Sequence, residues 1–114
     1  AKLREAFATK YRTAFGVELD PSEEVCVGSG TKETLVQLIH LLARRTRKVL
    51  LPDPVYPAHR AAVELAGLEP VYFPLSADEQ TMLDAIDSRL EEESAGIVLL
   101  NFPNNPTGIE VGRS

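Results

Sequence analysis

The sequence has little cysteine, no excess of positive charge and no long apolar run, and each shortage narrows what it can be. With Cys26 as its single cysteine, the chain holds no internal disulfide and suits a reducing compartment such as the cytoplasm. Its apolar runs are far shorter than the ~20 residues a membrane-spanning helix requires. Ala1-Lys2-Leu3-Arg4-Glu5 reads as helix surface rather than as a secretion signal. The formal net charge is −5, and Lys and Arg are scattered apart from Arg44-Arg45-Thr46-Arg47-Lys48. That pattern gives no electrostatic footprint for nucleic acid or an anionic membrane. Internal repeats and low-complexity linkers are also missing.

What is there is an ordinary globular composition, 44% hydrophobic and 25% charged over 114 residues, enough for one domain or part of one. Leu3, Phe7, Tyr11 and Phe15 recur at helical spacing and Gly16 stops them. Val25-Cys26-Val27 predicts a short strand, with Cys26 a buried, inert thiol. Leu35, Leu38, Ile39 and Leu42 form the apolar face of a second helix, and Val49-Leu50-Leu51 predicts a buried strand. Pro57 opens a third helix with Ala58, Ala61, Ala62 and Leu65 on one face and Gly67 at its end. Val71-Tyr72-Phe73 is a further strand. Thr81 and Asp84 resemble a capping pair ahead of Met82, Leu83, Ile86 and Leu90, and Ile97-Val98-Leu99-Leu100 is the last strand. The alternation predicts an α/β fold with a mainly parallel sheet. Four strands so covered leave an edge open, so residues 1–114 are expected to be part of a larger domain, with no second domain in this chain.

Three unusual segments follow predicted strands, the position at which open parallel sheets bind ligands. Gly28-Ser29-Gly30-Thr31-Lys32-Glu33 opens a helix. Its glycines let the backbone approach closely, and the unpaired amides and positive pole of a helix start favour a phosphate. It is not a P-loop, because Lys32 follows Thr31, and Glu33 stands where a dinucleotide fingerprint needs glycine. In Pro52-Asp53-Pro54-Val55-Tyr56-Pro57, three prolines stiffen the backbone around a ring that can serve as a platform for a planar ligand. In Asn101 to Gly108, Asn105 offers an amide that both donates and accepts, with Pro103 and Pro106 fixing its approach. A capped helix, a tyrosine packed under its loop and a plain turn explain these segments one at a time; their shared position argues for a site. His40 reads as a surface histidine, Glu91-Glu92-Glu93 as a solvated helix end, and His59 as a neighbour of Tyr56 with a supporting role open to it.

Taken together, Gly28 to Leu35, Asp53 to Pro57 and above all Pro103-Asn104-Asn105-Pro106-Thr107-Gly108 resemble the class I/II aminotransferases of fold type I. The likeness extends over nearly the whole chain, including Leu3-Arg4-Glu5-Ala6, Phe15-Gly16-Val17 and Ala61 to Pro70. It implies the large domain of an enzyme dependent on pyridoxal 5'-phosphate, moving an amino group between an amino acid and a 2-oxo acid as a homodimer. It further implies that Gly30, Thr31 and Lys32 hold the cofactor phosphate, with Ser29 as their neighbour. Tyr56 would stack on the pyridine ring and Asn105 would hydrogen-bond the phenolic oxygen. The bonds before Pro57 and Pro106 are candidates for the cis form.

The resemblance also says what lies elsewhere. The Schiff-base lysine, the carboxylate facing the pyridinium nitrogen and the arginine for the substrate carboxylate all follow the asparagine loop in the family. None of Lys2, Lys10, Lys32 and Lys48 matches that lysine, so no catalytic residue and no metal ligand is assigned here. A carbon–sulfur lyase of the same fold would share these loops. A nucleotide-binding Rossmann module draws on Gly28-x-Gly30 and Asp53, and a truncated, partner-binding product draws on the open sheet edge.

Overall fold

The computed structural model describes residues 2–111, and the chain divides after Gly30 into two compact units. The expected helix surface at Ala1 and the domain limits at 1 and 114 lie outside the described residues. In the first unit, α1 spans Lys2–Phe15 and ends where Gly16 takes a φ of 67°, its amide donating to the Arg12 carbonyl. The aromatic stripe is real: Phe7 stacks on Tyr11 at 4.7 Å and Tyr11 meets Phe15 edge-on at 5.2 Å. A turn follows in which the Asp20 carboxylate accepts from the Ser22 amide and hydroxyl. Those bonds hold the Asp20 carboxyl below its usual range. The predicted strand at Val25-Cys26-Val27 does not form. Val25 is buried, but the segment has no ladder partner among the described residues, and β-branched residues make a strand only against a neighbour. Cys26 is consequently exposed, not buried.

The second unit contains the remaining elements among the described residues: α2 (Thr31–Leu42), β1 (Lys48–Asp53), α3 (Pro57–Leu65), β2 (Glu69–Pro74), α4 (Glu79–Glu93) and β3 (Ile97–Val98). The strands form a parallel sheet in the order β2-β1-β3, with Leu50 opposite both Val71 and Val98. The pleat explains the unbroken apolar run in β1. Val49 and Leu51 join Ile39 of α2 and Ala62 and Val63 of α3 in one buried cluster. Leu50 turns the other way, into a cluster with Val71 and Phe73 of β2 and Met82 and Ile86 of α4. A central parallel strand is buried on both faces, so its sequence shows no alternation. Pro52 is tolerated because it lies beyond the last residue of β1 that pairs with β3.

Several local expectations shift. The buried face of α3 is Ala62 and Val63, with Leu65 70% exposed, and Leu38 of α2 is 51% exposed although its periodicity matches Ile39. The cap of α4 is Asp78, whose carboxylate accepts from the Thr81 amide at 2.8 Å, not Thr81 itself. The first turn of that helix is polar and exposed, so apolar periodicity starts a turn late. β3 is two residues, although Leu99 still donates to the Leu50 carbonyl at 3.0 Å. Glu93 is not a freely solvated end. It pairs with Lys48 at 2.8 Å and with Arg89 at 3.0 Å, while Arg89 also donates to the Tyr72 carbonyl.

Candidate functional site

Parallel strands deliver their following loops to the same sheet edge, and β1 and β3 are neighbours. The loop after β1, residues 54–56, and the loop after β3, residues 101–108, therefore start side by side. The first runs straight into α3. Tyr56 is the N-cap of that helix, with φ −64° and ψ 123°, and Pro57 fills the first helical position, where its missing N–H costs nothing. Tyr56 is half-buried, and its ring meets that of His59 at 5.3 Å with the planes 88° apart. His59 lies one turn further along α3, its amide donating to the Tyr56 carbonyl at 2.9 Å. Partial burial lowers the His59 pKa below its ordinary value, so the ring facing Tyr56 is neutral at neutral pH.

In the second loop Asn105 is exposed and Asn104 is buried, the one buried polar residue among the described residues. The Asn104 Oδ1 accepts from the Thr107 hydroxyl at 2.8 Å and from its amide at 3.3 Å, and Nδ2 donates to the Pro54 carbonyl at 3.5 Å. Its backbone closes the turn: Asn104 donates to the Ile109 carbonyl at 2.8 Å and accepts from Gly108 at 2.7 Å. Gly108 adopts a φ of 73°, a conformation that favours glycine. The bonds before Pro54, Pro103 and Pro106 are cis; the bond before Pro57, also expected as a candidate, is trans. Its trans form is the one that lets Pro57 begin α3 with Tyr56 as an extended cap.

Thr31 and Lys32, both exposed, form the first turn of α2. Five residues connect the end of α2 to the start of β1, so its C-terminus lies at the opposite edge. The 12 residues of α2 make roughly 18 Å of helix, which separates its N-terminus from that connection. The amides of that first turn lack intrahelical acceptors and carry the positive pole. Gly30 belongs to the first unit, with a φ of 128° and open space where a Cβ would stand. Of the residues singled out in the sequence, Thr31, Lys32, Tyr56 and Asn105 belong to the second unit, Tyr56 and Asn105 on loops that follow neighbouring parallel strands and Thr31 and Lys32 in the first turn of α2. Asn104 was missed. The Asn-x-x-Thr spacing hinted at a side-chain-closed turn, but burial and the reach to Pro54 depend on a loop fifty residues away.

Residues 1–113 match the family model described as aminotransferase class I and II. The chain is 38% identical over 108 residues to an L-glutamine–4-(methylsulfanyl)-2-oxobutanoate aminotransferase of Bacillus subtilis, covering 94% of this chain and 27% of that protein. An LL-diaminopimelate aminotransferase of Halothermothrix orenii is 37% identical over 92% of the chain and 27% of its own length. Among solved structures, an aromatic aminotransferase from Pyrococcus horikoshii superposes with a TM-score of 0.83 at 28% identity, covering 98% of this chain and 30% of that one. The chain thus spans about a quarter of the length of the curated relatives it matches.

Proposed function

The chain belongs to the class I and II aminotransferase family, and on that footing we propose that it forms the cofactor-cradling part of an enzyme that moves an amino group between an amino acid and a 2-oxo acid. Residues 1–114 are then part of the large domain. The cofactor is pyridoxal 5'-phosphate, and the donor set suits it. The exposed first turn of α2 offers Thr31 and Lys32, through amides, hydroxyl and ammonium, to a phosphate; Gly30 just before them carries the φ of 128° that turns the chain into the helix. Tyr56 offers an aromatic face to a planar ring, and the exposed Asn105 amide offers a donor to a phenolic oxygen. When bound, that cofactor supplies the electron sink for amino-group transfer.

The contribution of this chain is binding and orientation. Rigid supports hold each group: a helix start for the phosphate, a proline-framed cap for the ring and a closed turn for the amide. The observation that carries the reading is the adjacency of the Tyr56 and Asn105 loops, which follow neighbouring parallel strands. Cytoplasmic residence and a homodimer are parts of the same proposal; no helix among the described residues is long and apolar enough to cross a membrane.

Absorbance titration of the intact protein with pyridoxal 5'-phosphate tests this, alongside an assay for 2-oxo-acid-dependent amino transfer. Tyr56→Ala and Asn105→Ala should each weaken binding about three- to tenfold, as expected for one stacking contact or one hydrogen bond. An intact protein that does not bind the cofactor, or binds it equally well in both variants, would end the proposal.

A further inference from the structure

We infer that Asn104 is a positioning residue whose side-chain amide clamps the loop carrying Asn105 to the loop carrying Tyr56. The inference rests on the cofactor reading for its purpose, but not for its geometry. A buried amide must satisfy two donors and an acceptor, and leaving any of them unmet costs more than a typical hydrogen bond contributes. Asn104 divides its side-chain hydrogen bonds between two segments. Its Oδ1 faces inward to Thr107, and its Nδ2 faces outward to the Pro54 carbonyl, two residues before Tyr56. No buried side-chain nitrogen or oxygen among the described residues is left without a partner.

The hydrogen bonds favour one orientation of the amide. Turned over, the amide would set its NH2 against the Thr107 N–H and its oxygen against the Pro54 carbonyl oxygen, so two of its three hydrogen bonds would become repulsions. The neighbours of the clamp are fixed as well. The Asn104 backbone is bonded to Ile109 and Gly108, and Val55 packs against the cluster formed by α2, β1 and α3. Tyr56 is then held on two sides, by the Pro54 anchor upstream and by the edge of His59 within its own helix. Asn105 follows the clamp directly. One buried side chain therefore sets the separation of the two groups proposed to contact the ring and the phenolic oxygen.

Asn104→Asp separates the two halves of the clamp. A carboxylate has nearly the same shape and still accepts from Thr107, but it offers no donor and a negative charge to the Pro54 carbonyl. Thr107→Val is the complementary variant, since it removes the hydroxyl donor inside the loop and leaves the link to Pro54 intact. The ring protons of His59 report the position of Tyr56, because the two rings are in contact, and they do so without cofactor. In the intact apoprotein, Asn104→Asp should move the His59 ring signals and Thr107→Val should leave them in place. With pyridoxal 5'-phosphate added, Asn104→Asp should bind about tenfold more weakly, the loss of one cross-loop bond.

His59 signals unmoved by Asn104→Asp, or moved equally by both variants, would overturn the clamp. A wild-type protein that binds no cofactor would instead sink the proposed function, while the His59 signals still decide the clamp. Should Asn104→Asp fail to fold, the wild-type Asn104 NH2 protons settle the matter. Slow exchange with solvent supports the bond to Pro54, and exchange at the rate of an exposed amide rules it out.

Discussion

Gly96 stands immediately before β3, and replacing it by alanine tests how tightly β3 is seated beside β1. A Cβ at Gly96 would lie 2.7 Å from Thr46 Cβ, 3.0 Å from its Oγ1 and 3.3 Å from its Cγ2. The nearest of these is a Cβ, so no rotamer change of Thr46 relieves the clash and the backbone must move. Thr46 is not free to retreat: its Oγ1 accepts from the Gly96 amide at 3.0 Å and from the Lys48 amide at 3.2 Å, and donates to the Lys48 carbonyl at 3.1 Å. Overpacking of this kind costs about 1–3 kcal/mol. Loss of the Gly96 hydrogen bond would add about 1 kcal/mol, while the stiffer unfolded chain returns about 0.4–1 kcal/mol. Gly96→Ala should therefore be destabilised by about 1–4 kcal/mol, measured by denaturant unfolding followed by circular dichroism. In a Thr46→Gly background, which removes the opposing Cβ, the same substitution should cost under about 1 kcal/mol. Equal or greater stability of Gly96→Ala in the wild-type background would refute the close packing of these two connections.

Phe73, fully buried between β2 and α4, should cost about 3–5 kcal/mol on replacement by alanine, read as a lowered denaturant midpoint with an unchanged slope. Glu93 is held below its ordinary 4.5 by the hydrogen bond and charge of Lys48. The unfolded chain therefore takes up that proton first, so the pairing stabilises the fold above about pH 4.5 and is lost as pH falls through the folded value. Glu93→Gln should flatten the acid limb of a stability–pH curve, and an unchanged limb would show the pairing to be idle. His59 is lowered from 6.5 by burial. Its folded form resists protonation, so stability drops as pH falls below 6.5, and His59→Gln should remove that slope from thermal midpoints collected across the range.

The sequence alone was enough for the class of fold and for the family. Helical periodicity with stops at Gly16 and Gly67, and the buried run Val49-Leu50-Leu51, are local signals, and the structure keeps all of them. The shared position of the Tyr56 and Asn105 loops was legible because loops after neighbouring parallel strands emerge at one edge, whereas Thr31 and Lys32 open α2 with no strand before them among the described residues. Failures arose where a residue's state depends on a distant partner. Val25-Cys26-Val27 has strand propensity but no ladder neighbour among the described residues, and Cys26 is exposed. Val63, rather than Leu65, reaches the core because the orientation of α3 about its axis is set by packing against α2 and the sheet. Asn104 and Asn105 are adjacent and chemically identical, and nothing in their order says which is buried. Tertiary structure decides it by bringing the Pro54 carbonyl, from a loop fifty residues earlier, within reach of one amide and leaving the other exposed.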